Sequence, residues 1–559
     1  MTPSDGLTTI DAAASLTNLA TLYRTQGRYR EAVPLLERAR DIREQALGPM
    51  HPEVAAAVSS LGEAYFLLGR YAEAEPLLLR AREIREEALG PEHPSVAESV
   101  RSVADVYCGL GRFDDAAGLY HEAMDIQRKA LGAESPEMAT TLDSLAQLDS
   151  RIGEYAEAEK LLHQALGIRQ AVLGPDHADV GGTLYNLAEL YRATGRFSEA
   201  EHLYTKSLRI REAALGEEHP EVSYSLDGLA GLYSTLGRYP EAIRLHERVL
   251  EIQQRTLEPE GKDVATALAN LGNEYFALGD NKRARGLYER TLAILEDVLG
   301  PTHRDVAMTL HNLAGVCFED GDLPEAKSLY RRAAEMIEET LGPDHLDLGW
   351  TLTSLAAVLA ATGDSDEAEP VFRRALAIQE RVLGGDASDV ARTLTLMADL
   401  KVSLGDFEKA ERLYRRSLSI REKVFGPNHP ATADTLDGLA DLMRRTDRSK
   451  DAEALYRQSI KVYRRTLGPE HPVLAGTLMS LAGLKRGDGD LDEAEELYRQ
   501  ALSIRERALG MDHPTVAAVL DDLAEVLDDQ GKAGSEELRR RAAEIRSTPS
   551  ADSDPSPQR

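Results

Sequence analysis

Fourteen histidines are the first residues of this 559-residue chain that could do chemistry. Nine of them, His51, His93, His177, His219, His303, His345, His429, His471 and His513, stand in copies of one phrase, Leu-Gly-Pro-x-His-Pro, each opening a new stretch of helical pattern. Zinc would require several ligands at about 2 Å from one ion. Copies one phrase apart are separated by roughly 20 Å, about two helix diameters. The expected role of these histidines is therefore to cap helices, and no metal site is expected. The paired carboxylates Asp114-Asp115 and Asp521-Asp522 could suggest acid/base work, but adjacent acids in an amphipathic pattern read as a solvated face. Cys108 and Cys317 lie 209 residues apart and read as small apolar residues rather than a redox pair. No glycine-rich phosphate loop and no G-x-S-x-G elbow occurs. The chain is expected to be no enzyme and to bind no cofactor.

The charge balance narrows the partners. Lys and Arg number 65 against 95 Asp and Glu, a formal net charge of −30. Without a segregated basic run, such a chain repels phosphate backbones, so nucleic acid is not expected as a partner. No apolar run is long enough to form a membrane helix, and the N-terminal lead carries no signal-peptide pattern. The expectation is a cytoplasmic protein in a reducing compartment with no membrane contact.

The elements that must carry these residues follow from the recurrence itself. The phrase begins at Leu47, Leu89, Leu131, Leu173, Leu215, Leu257, Leu299, Leu341, Leu383, Phe425, Leu467 and Leu509, always 42 residues apart. With one helix pair before the first phrase and one after the last, this gives thirteen pairs. In the unit that starts at Pro52, proline suits a first helical turn. Val54, Val58, Leu61 and Tyr65 then form one helical stripe. Gly69 offers a left-handed C-cap. Ala74, Leu77, Leu78, Ala81 and Ile84 mark the second helix. The turn glycine recurs in every unit but one, where Asp447 stands. Five residues later comes alanine, at Ala32, Ala74 and onward, which lets paired helix axes approach closely. No pair covers its own apolar surface, so stacking must.

These residues resemble the tetratricopeptide repeat (TPR). Val58-x-x-Leu61-Gly62-x-x-Tyr65, then Gly69 and Ala74, match its signature, as do Leu268-x-x-Leu271-Gly272-x-x-Tyr275, Gly279 and Ala284. The leading aromatic of the signature is replaced by Leu or Val. The 42-residue period exceeds the usual 34 or so, and the Gly-Pro-x-His-Pro connectors resemble the repeats of kinesin light chain. No heptad coiled coil precedes the first repeat, so motor attachment is not implied. The expected fold is all-α, a right-handed α-solenoid of about thirteen helix-turn-helix repeats over 10–546. A lead at 1–9 and a disordered Ser/Pro-rich tail at 547–559 flank it.

What the resemblance implies for function is a non-catalytic scaffold that binds protein or peptide segments in a concave groove lined by the first helix of each pair. The alternatives are a peptide-sensing regulator whose superhelix changes pitch and a self-assembling structural protein; the sequence leaves oligomeric state open. The groove positions of repeats seven to nine include Asn270, Asn273, Phe276, Met308, His311, Asn312, Phe318, Trp350 and Ser354. Only Glu319 is charged there, and the chain's single tryptophan is present. Aromatics beside amides compose a binding hot spot. The competing expectation is that Phe276, Phe318 and Trp350 turn inward and fill packing gaps. Tyr185 and Tyr224 mark a second candidate. Repeat eleven contrasts, with Asp434, Asp437, Asp441, Arg444 and Arg445.

Overall fold

The computed structural model describes residues 3–26 and 28–547. The tail expected from 547 lies outside them, apart from Ser547 at the end of the last helix. Among the described residues there are 26 α-helices and no strands. They alternate between a first helix of a pair, such as α3 (Pro52–Leu67), and a second, such as α4 (Tyr71–Leu89). The first helix, α1 (Pro3–Thr25), reaches back into the segment expected as a lead. None of the described helices is long and apolar enough to cross a membrane.

Local chemistry fixes the ends of these helices. All nine connector histidines do the same thing: Nδ1 accepts a hydrogen bond from the backbone N–H two residues on, as from Glu53 to His51 at 3.2 Å and from Asp305 to His303 at 3.0 Å. An N-cap side chain satisfies one of the orphan donors of the first turn. The capping expectation is met with an imidazole as the cap. In repeat four Ser135 holds the same place and caps with its hydroxyl, from the N–H of Met138 at 3.2 Å. The first helix closes on a left-handed residue, usually glycine. Gly69 has φ 70° and is followed by a bond from the N–H of Arg70 to the carbonyl of Tyr65 at 2.9 Å. Where Asp447 replaces glycine it takes φ 56°, the one such non-glycine among the described residues. The turn geometry is thus kept at the steric cost of a Cβ.

Packing follows the same register. The turn-proximal alanines, Ala32, Ala74, Ala116, Ala158 and their successors to Ala494, are all fully buried. Each allows the two helices of its pair to close up. The first-helix stripe of Val54, Val58 and Leu61 is buried with them.

The chain divides into two compact units. Unit 1 comprises Met1–Leu232 with Pro240–Ala387, and unit 2 comprises Tyr233–Tyr239 with Ser388–Arg559. Within each, consecutive helices pack side by side, and odd-numbered helices also approach their next-but-one neighbours: α3 with α5 (Pro94–Gly109), α5 with α7 (Pro136–Ile152), α7 with α9 (Ala178–Ala193), α13 (Lys262–Ala277) with α15 (Arg304–Glu319), α15 with α17 (Leu346–Ala361), and in unit 2 α19 (Ser388–Ser403) with α21 (Pro430–Arg445). In a curved stack the members on the tighter side come closest to their second neighbours. The first helices of the pairs take that side.

Unit 1 also returns on itself. Connectors of the later repeats meet turns of the early ones. His345 Nε2 bonds the carbonyl of Gly109 at 3.2 Å, and His303 Nε2 bonds the carbonyl of Leu68. Lys262 Nζ donates to the carbonyl of Leu67 at 3.2 Å, and Arg28 faces Glu258 at 3.4 Å. Leu299 packs against the cluster that holds Ala20, Ala32 and Leu36. The small rotation from repeat to repeat accumulates until the stack meets its own beginning. In unit 2 a comparable bond joins His471 to the carbonyl of Thr235 at 3.0 Å.

Candidate functional site

The first-helix face of unit 1 is built from positions that recur once in every repeat, so each carries a different side chain in one shared geometry. Among the described residues, five second helices contribute a tyrosine whose hydroxyl donates to a polar residue fifteen positions earlier on the first helix. Tyr120 donates to Asp105 at 2.6 Å and Tyr288 to Asn273 at 2.6 Å; in unit 2 Tyr456 donates to Asp441 at 2.5 Å. The ring is buried and the acceptor remains at the edge of the face. Asn273, expected to be open to a partner, therefore already accepts one bond through its amide oxygen, although the residue stays exposed.

The other expected contact residues are mostly half-buried. Asn270, Phe276, Met308, His311, Asn312, Phe318, Trp350 and Ser354 are all in this state. Phe276 leans on the buried cluster of Ala284, Tyr288, Leu313 and Val316. His311 lies edge-on to Tyr330 with ring centres 5.0 Å apart, and its Nδ1 is 3.3 Å from Thr351 Oγ1. Gly315 leaves room between Phe276 and Tyr330: a Cβ there would lie 3.9 Å from Phe276 Cζ and 3.5 Å from Tyr330 Oη. Phe276, His311 and Tyr330 thus form one neighbourhood. Trp350 belongs to another. It packs against the buried cluster in which Leu346 joins Ala104, Phe113 and Leu142, where a late repeat meets early ones. Its indole Nε1 is buried and has no hydrogen-bond partner.

In repeat eleven the acids are held by neighbours rather than left open. Asp434 accepts from Tyr463 at 2.5 Å, and Asp437 from Thr477 at 2.5 Å. Burial pushes the Asp437 carboxyl up to about 7. Repeat six shows a replacement that the sequence reading passed over. His246 stands where its neighbours Tyr204 and Tyr288 carry the donor hydroxyl. It is buried between Asp227 at 3.1 Å and Glu274 at 3.4 Å. Burial works against its charge, but the hydrogen bonds to both carboxylates prevail and raise its pKa to about 9. The signal was available: a histidine at a tyrosine position with an acid on each adjoining first helix.

Helix pairs with a 42-residue period, histidine or serine caps, left-handed turns and buried turn alanines now define the architecture. The tetratricopeptide-repeat model matches at 11–87, 53–117, 99–171, 137–213, 179–255, 221–297, 305–381, 353–423, 389–465 and 473–538. The chain belongs to the tetratricopeptide-repeat family. Similar solved structures include nearly identical TPR-like repeats assigned to a kinesin light chain of Podosopora anserina, 31% identical over 36% of this chain and 94% of that one, with a TM-score of 0.31. BtubC (BKLC) from P. vanneervenii is 26% identical over 42% of this chain and 92% of that one, with a TM-score of 0.34. A Rap protein complexed with competence and sporulation factor is 17% identical over 67% of this chain and 99% of that one, with a TM-score of 0.46. No curated protein sequence matches the chain. As a TPR protein, the chain is in general terms a protein-interaction scaffold.

Proposed function

We propose that this TPR chain is a non-catalytic adaptor that holds segments of partner proteins along the first-helix face, with repeats seven to nine as a principal contact region. The observation that carries this reading is the character of that face in repeats seven and eight. Phe276, Met308, His311 and Asn312 are half-buried on consecutive first helices, with amide, imidazole and aromatic groups together and little charge. Half-buried aromatics lose little side-chain freedom on binding, and amides supply orientation, which is the makeup of interface hot spots. Trp350 and Ser354 continue the region into repeat nine, where the indole also braces unit 1 against itself. Asn270, Asn273 and Phe318 complete the set.

The test is capture of partners from native lysate by the full chain and by the double variant Trp350→Ala, His311→Ala. The expected result is loss of the captured proteins with helix content by circular dichroism unchanged. Capture that survives the double substitution refutes the assignment of this region.

A further inference from the structure

Repeat three breaks the charge register of its neighbours. In repeat four the second helix carries Arg169, which pairs with Asp143 on the first helix of the same pair. One repeat earlier the same two positions hold Gln127 and Arg101. Arg101 pairs along its own helix with Asp105 at 2.8 Å. Gln127, on α6 (Phe113–Ala130), is 4% exposed, and its Oε1 is buried with no hydrogen-bond partner among the described residues. A buried acceptor left without a donor is unfavourable. The other glutamines at this position differ: Gln379 donates to Thr353 Oγ1 at 3.4 Å, and Gln253 is less buried.

Gln127 also lines a cavity of about 380 Å³ between α5 and α7, together with Pro94, Glu98, Arg101, Leu131 and Glu137. Its electrostatics favour a cation. Glu137 is exposed and forms no ion pair among the described residues. Glu98 is exposed as well, with its carboxylate 3.3 Å from Arg85. Once Arg85 and Asp105 are included, three carboxylates stand against two arginines, so the neighbourhood keeps one negative charge. Helix N-termini oppose a cation, but first-turn donors of α5 and α7 are already engaged: the N–H of Ser95 bonds His93 and that of Met138 bonds Ser135, both at 3.2 Å. Pro94 and Leu131 add apolar wall, and Leu131 is 42% exposed. A long cationic side chain lays its methylene stem on such a surface and keeps its head among acceptors. An anion would meet Glu98 and Glu137 instead.

We propose that this cavity is a subsite for a lysine or arginine side chain of a bound protein segment, whose N–H donors reach the Gln127 amide oxygen and the carboxylates of Glu98 and Glu137. The inference rests on the reading of the chain as a scaffold for protein segments. It assigns repeats three and four a defined chemical preference apart from the contact region of repeats seven to nine.

Fluorescein-labelled degenerate octapeptide pools test it by anisotropy on the full chain. The pools carry a fixed central Lys, Arg, Gln or Glu, and both ends are blocked. Salt at about 0.3 M screens the general attraction of an acidic chain for cations. The wild type should bind the Lys or the Arg pool about tenfold more tightly than the Gln pool, the scale of one charge-assisted contact. Gln127→Arg should remove the preference while keeping the fold, because Arg85 and Arg169 occupy this position in the neighbouring repeats. Gln253→Arg adds the same charge at the same position of repeat six and should leave the preference intact. Glu137→Gln, at an exposed position, should reduce the preference severalfold with helix content unchanged. The inference is overturned if the wild type shows no cation preference, binds none of the pools or prefers the Glu pool. It is equally overturned if the preference survives Gln127→Arg or Glu137→Gln, or if Gln253→Arg abolishes it as well. Lysate capture keeps the two readings apart: partners still held by a chain without the cation preference leave the scaffold standing and remove the subsite.

Discussion

Replacing His345 by serine separates two roles of one side chain. His345 is 4% exposed; its Nδ1 accepts from the N–H of Asp347 at 3.2 Å, and its Nε2 lies 3.2 Å from the carbonyl of Gly109. The first bond fixes the tautomer: with Nδ1 as acceptor, Nε2 carries the proton and donates. Serine is a good N-cap, and Ser135 already serves as one in this register. His345→Ser therefore keeps the cap and removes only the reach to Gly109. His93 makes the same cap, from Ser95 at 3.2 Å, so His93→Ser is the control. The control should change stability by less than about 0.5 kcal/mol. His345→Ser should cost about 1–3 kcal/mol, the range for leaving a sheltered carbonyl unpaired. Unfolding of a repeat array is not one transition. The readout is therefore native-state hydrogen exchange at Leu110, Gly111 and Arg112, whose amides close the turn beside Gly109. Their protection should fall by about tenfold or more in His345→Ser alone. Burial lowers the pKa of His345, so the fold favours the neutral ring. Its stabilisation is full above the unfolded value near 6.5 and is lost as pH falls through the folded value. Equal protection in the two variants, at pH 7.5 and at pH 5.5, would refute the argument.

His246 supplies the opposite sign. Held between Asp227 and Glu274 with its pKa raised to about 9, it contributes fully below about 6.5 and loses that contribution as pH rises through 9. Its ring protons followed by NMR should titrate near 9; a midpoint at or below 6.5 would show that the carboxylates do not prevail over burial. Gly228→Ala should destabilise repeat six by about 1–3 kcal/mol through overpacking, since its Cβ would fall 2.4 Å from Tyr204 Cε1 and 2.7 Å from Tyr185 Cε2. Unchanged hydrogen-exchange protection of the repeat-six helix that carries Gly228 would show that these rings yield freely.

Much of this molecule is written within a few residues of itself. The histidine caps, the left-handed glycine, Asp447 in its place and the buried turn alanines depend on hydrogen bonds and contacts inside one helix pair, so a 42-residue pattern specifies them. The replacement of tyrosine by His246 was also legible, because offsets along the chain stay constant in a regular array.

What tertiary structure decided is everything set by the sum of small rotations between repeats. That sum places His345 on Gly109, 236 residues away, and seats Trp350 in a cluster with residues of the third and fourth repeats. No local pattern encodes it, because each rotation results from the packing of many side chains and small differences accumulate along the stack. His246 keeps its charge for a more local reason: the carboxylates on its two adjoining first helices outweigh its burial. Residue type and spacing named the groups, and the partners and depth that packing gives them set their electrostatics.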